Sequence, residues 1–352
     1  ADHLVNPGST APVAASTATS TPARSGTTGA NTTSNVTAST IDAATEHAYA
    51  AASPSIVYVV NTGVGSGSGV IYDTKGDIVT NNHVVSGGSK FSVTLNNGKT
   101  YAATLVGTDA ADDLAVIHIN ASGLTPAHFA AAGGYQVAEG VLAIGSPLGL
   151  KQSVSFGLIS GLNRVEQEPN GSYISNAIQT SAPINPGNSG GALVSLDGTV
   201  VGIPTLEQTS SQDGSAAQNI GFAIPSDRVT TIADQIIATG KVEHTGRPYL
   251  GIAPTDATGQ SSSGLGNLSP FGGSTPSVSG ALVQQISSNG PAAQAGVQQG
   301  DVITAADGTT VTDAQDLLTV LAQKKPGDTI SLTINRNGST VHVQVKLGEL
   351  PA

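Results

Sequence analysis

The chain has 352 residues, with 24 Asp or Glu and 13 Lys or Arg, so its formal net charge is −11. This acidic balance argues against nucleic-acid binding, because neutralising phosphates requires clustered Lys and Arg. The absence of Cys excludes disulfides, thiolate metal sites and cysteine nucleophiles, and no apolar run reaches the roughly 18 residues that span a bilayer.

The N-terminal segment differs in composition from the rest of the chain. Residues 1–40 are mainly Ser, Thr, Ala, Pro and Gly, with few large aliphatic side chains. Such a segment buries too little apolar surface to offset the entropy lost on ordering, so we predict a disordered tether. A short helix is expected at residues 41–52, ending before Pro54.

Short β-type runs, separated by Gly, Asn and Asp turns, follow this helix. They are found at residues 56–60, 69–72, 77–80, 91–95, 114–119, 141–144, 154–160, 174–179, 191–195, 199–206 and 220–224. Many short strands at turn-limited spacing predict sandwiches or closed barrels. After Ser226 the apolar residues adopt helical spacing, which predicts an amphipathic helix ending near Gly240.

A second unit begins around Arg247. Strands are expected at residues 249–252, 281–286, 302–304, 329–335 and 340–347, a helical turn at 291–295 and a helix at 313–322. A Gly- and Ser-rich insertion occupies residues 255–279, and an Asn-Gly pair at 337–338 predicts a hairpin between the last two strands. The sequence contains no internal repeat.

Three segments of the first unit carry residue types suited to acyl transfer. His83 follows one predicted strand, Asp112 and Asp113 precede another, and Ser189 lies in the run Asn-Pro-Gly-Asn-Ser-Gly-Gly. A Ser hydroxyl is a weak nucleophile until a base accepts its proton, and a neutral His needs a carboxylate to fix its tautomer. A single His is most often a surface or core residue without a catalytic role, and a single Gly-rich run is most often a turn. Together, in the order His, Asp, Ser, the three segments predict a serine protease site.

These segments resemble the HtrA (DegP/DegS-like) family of serine proteases. The similarity is carried by residues 80–85, 113–116, 143–149, 178–180, 185–193 and 220–226, and the C-terminal unit resembles a PDZ domain. The resemblance implies a mainly β fold, in which a chymotrypsin-like double β-barrel protease domain at residues 41–240 precedes an α+β PDZ domain at residues 245–350. Two packed six-stranded barrels with the site between them are expected.

Carried over to this chain, the family's roles make Ser189 the nucleophile and His83 the general base and then acid. Asp113 is expected to orient His83 and to stabilise its imidazolium. On proximity alone Asp112 competes for this role. We prefer Asp113 because it adjoins the Leu-Ala-Val strand, as the family's acid does.

Two loops are expected to bind ligands through backbone amides, which small residues allow to converge. The first is the oxyanion hole, with Gly187 and Ser189 the expected donors, and comprises Gly187, Asn188 and Ser189. The second resembles the carboxylate-binding loop of a PDZ domain and comprises Tyr249, Leu250, Gly251 and Ile252. Ile252, Leu317 and Leu321 are candidates to contact the last side chain of a bound peptide, although Leu317 and Leu321 are equally good core residues.

The resemblance implies an ATP-independent serine endopeptidase of protein quality control and stress response that cleaves unfolded or misfolded proteins. No metal or organic cofactor is expected, because the nucleophile, the base and the oxyanion donors are protein groups. Peptide C-termini at the PDZ domain and a homotrimer are the expected partners. An extracytoplasmic location in the cell envelope is expected, with membrane contact only through a segment outside this sequence. The alternative is a proteolytically silent, chaperone-like or peptide-binding protein.

Overall fold

The computed structural model describes residues 38–146, 152–167, 173–185, 187–207, 220–257 and 278–351. The predicted tether lies outside this range except for its last three residues, which begin helix α1 (Ala38–Ala52). Most of the predicted insertion at 255–279 also lies outside it. Within the described ranges, no helix combines the length and apolar character needed to cross a bilayer.

A 3-10 turn (Ser53–Ser55) leads from α1 into a closed antiparallel barrel with strand order β1-β2-β3-β6-β5-β4. Its elements are β1 (Ile56–Asn61), β2 (Gly65–Ile71), β3 (Asp77–Asn81), helix α2 (Asn82–Val85), β4 (Phe91–Thr94), β5 (Thr100–Asp109) and β6 (Leu114–Ile119). Strand β5 was not predicted, because most of its side chains are not buried and its sequence lacks an apolar alternation. Gly107 within it lies so close to the Gly240 carbonyl that an added Cβ would be 2.3 Å from that oxygen.

A second closed antiparallel barrel has the strand order β10-β11-β12-β9-β8-β7. Its strands are β7 (Gly140–Gly145), β8 (Ser153–Gln167), β9 (Tyr173–Thr180), β10 (Ala192–Ser195), β11 (Val200–Glu207) and β12 (Gly221–Pro225). Helix α3 (Ser226–Thr239) follows and ends at Gly240, whose φ of 78° suits glycine. One apolar cluster contains Val79 of the first barrel, Ile203 of the second and Ile232 of α3. This shared core packs the barrels together, and the predicted two-barrel architecture is confirmed.

The C-terminal unit is a sheet of order β14-β15-β16-β18-β19, with β17 added to β16 and a separate pair of β13 with β20. Its elements are β13 (Pro248–Tyr249), β14 (Ile252–Asp256), β15 (Ala281–Ile286), α4 (Pro291–Gln294), β16 (Val302–Ala306), β17 (Thr309–Thr310), α5 (Ala314–Ala322), β18 (Thr329–Arg336), β19 (Ser339–Lys346) and β20 (Gly348–Glu349). The prediction of one strand at 249–252 is wrong. Gly251, with φ 82°, turns the chain between β13 and β14. The end of the protease domain at residue 240 and the start of the PDZ domain at residue 245 stay predictions.

Candidate active site

His83 and Asp113 are in direct contact at one end of the first barrel. His83 Nδ1 lies 2.7 Å from Asp113 Oδ2, and the His83 backbone amide donates to Asp113 Oδ1 at 2.9 Å. The Asp113 carboxylate therefore holds both the ring and the backbone of His83. Asp113 is only 1% exposed, whereas the His83 side chain is 47% exposed. A proton on Nδ1 that is donated to this carboxylate makes Nε2 the acceptor nitrogen of the ring.

The two neighbouring acids, Asp112 and Asp113, point in different directions. Asp113 has a φ of 49°, a left-handed conformation that Asp adopts more readily than most residues. Asp112 instead accepts from Arg228 Nε at 3.0 Å, and its other oxygen lies 4.0 Å from Arg247 Nη1. Of the two acids, Asp113 contacts His83 and Asp112 forms ion pairs.

The loop that carries Ser189 packs directly against the strands leading to His83. The Ser68 amide donates to the Ser189 carbonyl at 2.9 Å. Gly190 has a φ of 79°, and an added Cβ would lie 2.3 Å from the Ser68 carbonyl oxygen and 2.5 Å from Thr80 Oγ1. Only glycine allows this approach. Ser189 of the second barrel is thereby placed against the end of β3, next to helix α2.

The predicted oxyanion-hole residues form a turn. Gly187 has a φ of 103°, and the Asn188 amide donates to the Asn185 carbonyl at 2.9 Å. Within the described part of the chain, the amides of Gly187 and Ser189 donate no hydrogen bond. The Asn188 amide therefore closes this turn, and the described residues supply no acceptor for the amides of Gly187 and Ser189.

Two polar residues that support this arrangement were not predicted from the sequence. Ser68 Oγ donates to the Gly187 carbonyl at 2.5 Å and accepts from the Ser146 amide at 2.7 Å, which fixes the peptide group after Gly187. Thr205 Oγ1 donates to Asp113 Oδ2 at 2.5 Å, and the Thr205 carbonyl lies 3.5 Å from Ser189 Oγ. In sequence, Ser68 lies in a Gly-Ser alternation typical of turns and Thr205 in an ordinary strand, so neither carried a signal.

A buried acidic cluster lies behind the Asp113 turn. Asp109 is 7% exposed, and its Oδ1 accepts from the Ala111 amide at 3.0 Å. Its Oδ2 is buried and has no hydrogen-bond partner among the described residues. Burial, and then the nearby charge of Asp112, raise the pKa of Asp109 to about 6. No three His, Asp or Glu side chains of the described ranges cluster in a way that could hold a metal ion.

The C-terminal unit has a groove beside the predicted carboxylate-binding loop. A cavity of about 370 Å³ lies between β14 and α5. It is lined by Ile252, Leu317 and Leu321, and Val165 and Ser175 of the second barrel also border it. The amides of Leu250 and Gly251 form no hydrogen bond among the described residues. Leu317 is fully buried, so it belongs to the core as well as to the wall of the groove.

Comparisons with known proteins agree with this architecture. A family model of the trypsin-like peptidase domain matches residues 67–203, and one of the PDZ domain matches residues 248–347. The chain is 42% identical over 287 residues to the serine protease Do-like HtrA of Lactobacillus helveticus, which covers 80% of this chain and 68% of that protein. It is 37% identical over 313 residues to the serine endoprotease DegS of Escherichia coli K12, covering 86% of this chain and 84% of DegS.

Solved structures show the same likeness. The HtrA-type protease AlgW with a tripeptide has a TM-score of 0.62 at 35% identity, covering 87% of this chain and 97% of that one. The serine endoprotease from Yersinia pestis has a TM-score of 0.57 at 34% identity, with the same coverage. As its motifs predicted, the chain belongs to the HtrA family of serine proteases, endopeptidases of protein quality control that join a trypsin-like domain to a PDZ domain.

Proposed function

We propose that Ser189, His83 and Asp113 form the catalytic triad of an ATP-independent endopeptidase. The observation that carries this proposal is the pair of contacts that the Asp113 carboxylate makes, one with the ring of His83 and one with its backbone amide. The contact with the ring favours the tautomer with the proton on Nδ1, in which Nε2 is the nitrogen that accepts a proton. The loop of Ser189 packs against the same strand end. Ser189 Oγ lies 3.5 Å from the carbonyl oxygen of Thr205, the residue whose hydroxyl donates to Asp113.

In the proposed mechanism, Ser189 Oγ attacks the carbonyl carbon of the scissile peptide while His83 Nε2 takes the hydroxyl proton. The amides of Gly187 and Ser189 donate to the oxygen that becomes negative in the tetrahedral intermediate. His83 then gives its proton to the leaving amine, and the acyl-enzyme remains on Ser189. Water, deprotonated by His83, hydrolyses the acyl-enzyme and restores the free hydroxyl.

Unfolded and misfolded proteins are the proposed substrates. The His83 side chain is 47% exposed, which supports a site that an extended chain reaches from solvent. The proposed reaction also consumes no nucleotide, because water is the co-reactant that hydrolyses the acyl-enzyme.

The groove of the PDZ domain is proposed to bind peptide C-termini. The amides of Leu250 and Gly251 would receive the terminal carboxylate, and the peptide would pair with β14 as an added strand. Its last side chain would enter the apolar cavity beside Ile252 and Leu321. A fluorescence titration tests this: a peptide with a free C-terminus and an apolar last residue should bind, and its amidated form should not.

We also propose a homotrimer in an extracytoplasmic compartment of the cell envelope. Strand β8 presents Val154, Phe156 and Leu158, all exposed and on one face, and a contiguous apolar surface of this kind is typical of a protein interface. Light scattering of the purified protein measures the mass directly. A monomer at micromolar concentration would refute the trimer.

The triad is tested with a fluorophosphonate label and with unfolded casein, comparing the wild type with Ser189→Ala. Labelling and casein loss should both disappear in the variant. Casein loss that persists in Ser189→Ala would point to a contaminating protease and favour a silent, peptide-binding protein.

The choice between the neighbouring acids is tested separately. Asp113→Asn should lower kcat by about 10⁴-fold, because the wrong tautomer of His83 is then stabilised. Asp112→Asn should keep most of the activity, since an amide oxygen still accepts from Arg228. The reverse result would make Asp112 the acid of the triad.

A further inference from the structure

The turn that carries Asp113 is held by an arginine from the start of the C-terminal domain. Arg247 directly precedes β13, and its side chain is 13% exposed. Its Nη1 donates to the Ala111 carbonyl at 3.2 Å and lies 4.0 Å from Asp112 Oδ1. Its Nη2 donates to Ser175 Oγ of β9 at 3.3 Å. One guanidinium therefore binds the first barrel at the Asp113 turn and the second barrel at β9.

A second arginine holds the same turn from helix α3. Arg228 donates to Asp112 through both Nε and Nη2, and its Nη1 donates to the Thr245 carbonyl. Thr245 in turn donates through Oγ1 to the Leu350 carbonyl at 2.5 Å. Residues 111–112 are thus bound by two guanidinium groups, and both groups are tied to the segment that joins the domains.

The position of Asp113 depends on this turn. Asp113 has the left-handed φ of 49° noted above, and Ala111 and Asp112 are the residues that lead into it. A guanidinium whose two terminal nitrogens donate to Ala111 and to Ser175 is a stiff support for the turn, because the planar group loses little freedom on binding. A shift of the turn would move the carboxylate relative to the His83 ring, to which it lies at 2.7 Å.

We propose that Arg247 is a positioning residue for the triad, which aligns Asp113 with His83 by clamping the Ala111 carbonyl from the C-terminal domain. This inference rests on the triad proposed above. It makes the catalytic geometry depend on how the PDZ domain is seated on the barrels, even when the peptide groove is empty. Arg247 touches no reacting atom in this arrangement.

The test uses the full chain and a short chromogenic peptide with an amidated C-terminus, which keeps the substrate out of the PDZ groove. The variants are Arg247→Gln and Arg247→Lys. Arg336→Gln is the control, because it likewise removes a guanidinium held by buried groups: Arg336 makes a bidentate pair with buried Asp301 inside the C-terminal domain, at 2.7 Å to each oxygen.

For Arg247→Gln we expect kcat to fall by about 10-fold with KM within about 2-fold, because a small displacement of a catalytic group costs rate rather than binding. The acid limb of the pH profile of kcat/KM should move to lower pH by about half a unit, since a misaligned carboxylate stabilises the protonated ring less. Arg247→Lys should recover part of kcat, because one ammonium can still reach one acceptor. Arg336→Gln should keep the wild-type kcat and acid limb.

Arg247→Gln with wild-type kcat and an unmoved acid limb would overturn the proposal. If that variant does not fold, Arg247→Lys decides, because wild-type kinetics in this variant would equally refute a positioning role of the fork. An equal loss of kcat in Arg336→Gln would assign the effect to general destabilisation and would also overturn it. Activity that survives Ser189→Ala would instead refute the triad itself, so the two failures are distinguishable.

Discussion

Asp109 is the strongest candidate for a single substitution that stabilises this protein near neutral pH. Its carboxyl is buried beside the ionised Asp112, and Oδ2 has no hydrogen-bond donor within reach among the described residues. A proton on Asp109 would remove the buried charge and turn Oδ2 into a hydrogen-bond donor. Burial, and then the charge of Asp112, therefore raise the pKa of Asp109 to about 6. Asp109→Asn places an amide there, which donates as the protonated acid does and carries no charge.

The size of the effect follows from the pKa difference between the folded and unfolded states. The ordinary value is 3.8 and the folded value is about 6, so the folded protein binds more protons than the unfolded chain between these values. The stability that the protonated group contributes is fully present below pH 3.8 and is lost as the pH rises through 6. The two-unit difference corresponds to about 3 kcal/mol near pH 8. Asp109→Asn should recover most of it, a gain of about 5–10 °C in the Tm of the protease domain.

The assay is thermal and urea unfolding of Asp109→Asn and its parent from about pH 4 to pH 8, in a Ser189→Ala background that prevents self-digestion. The variant should be more stable near pH 8, and the difference should shrink as the pH falls below 6. Asp197→Asn is a control of opposite sign. The Ser195 hydroxyl and then the Thr199 amide lower the pKa of Asp197. Its loss should therefore destabilise the protein near neutral pH and matter less in acid.

Two results would refute this reasoning about Asp109. The first is a variant that is no more stable than its parent near pH 8, which would mean that the folded protein tolerates the charge. The second is a gain of equal size at every pH, because a gain without pH dependence would come from packing and not from a bound proton.

Three further predictions concern residues that shape the catalytic site and the peptide groove. Gly190→Ala should lower kcat/KM by about 100-fold, measured on the amidated peptide, because an added Cβ would lie 2.3 Å from the Ser68 carbonyl oxygen. Thr205→Val should lower kcat by about 10-fold and Thr205→Ser should retain it, because only the serine keeps the hydrogen bond to Asp113. Gly251→Ala should weaken binding of a C-terminal peptide by about 10-fold in a fluorescence titration and leave kcat on the amidated peptide unchanged, since the φ of 82° strains alanine.

Local chemistry explains what the sequence revealed. His83, Asp113 and Ser189 each lie in a run whose residue types and glycine spacing are unusual, and strands with apolar runs bounded by turns were predictable. Ser68 and Thr205 escaped prediction because their partners are remote. The Ser68 bond to Gly187 spans 119 residues and the Thr205 bond to Asp113 spans 92. Such contacts are decided by how two barrels pack, which no short segment encodes.

In the sequence, Arg247 was noted only as the start of a new unit. Its contacts also depend on how elements remote in sequence pack together. It reaches Ala111 across 136 residues and Ser175 across 72. Strand β5 was missed for a different reason, which lies in its own local sequence. It lies at a surface where its outward residues meet solvent, so its apolar pattern is too weak to distinguish it from a loop.

The closure of each barrel from consecutive strands has a consequence for biosynthesis. The first barrel ends at Ile119, so His83 and Asp113 can pair before the ribosome has made the second. The bond from Thr205 to Asp113 must wait for 92 further residues, which translation adds in about 5 to 20 s. During that interval the nascent chain holds a base without its nucleophile in place. Each growing polypeptide therefore lacks a complete triad until its own second barrel closes.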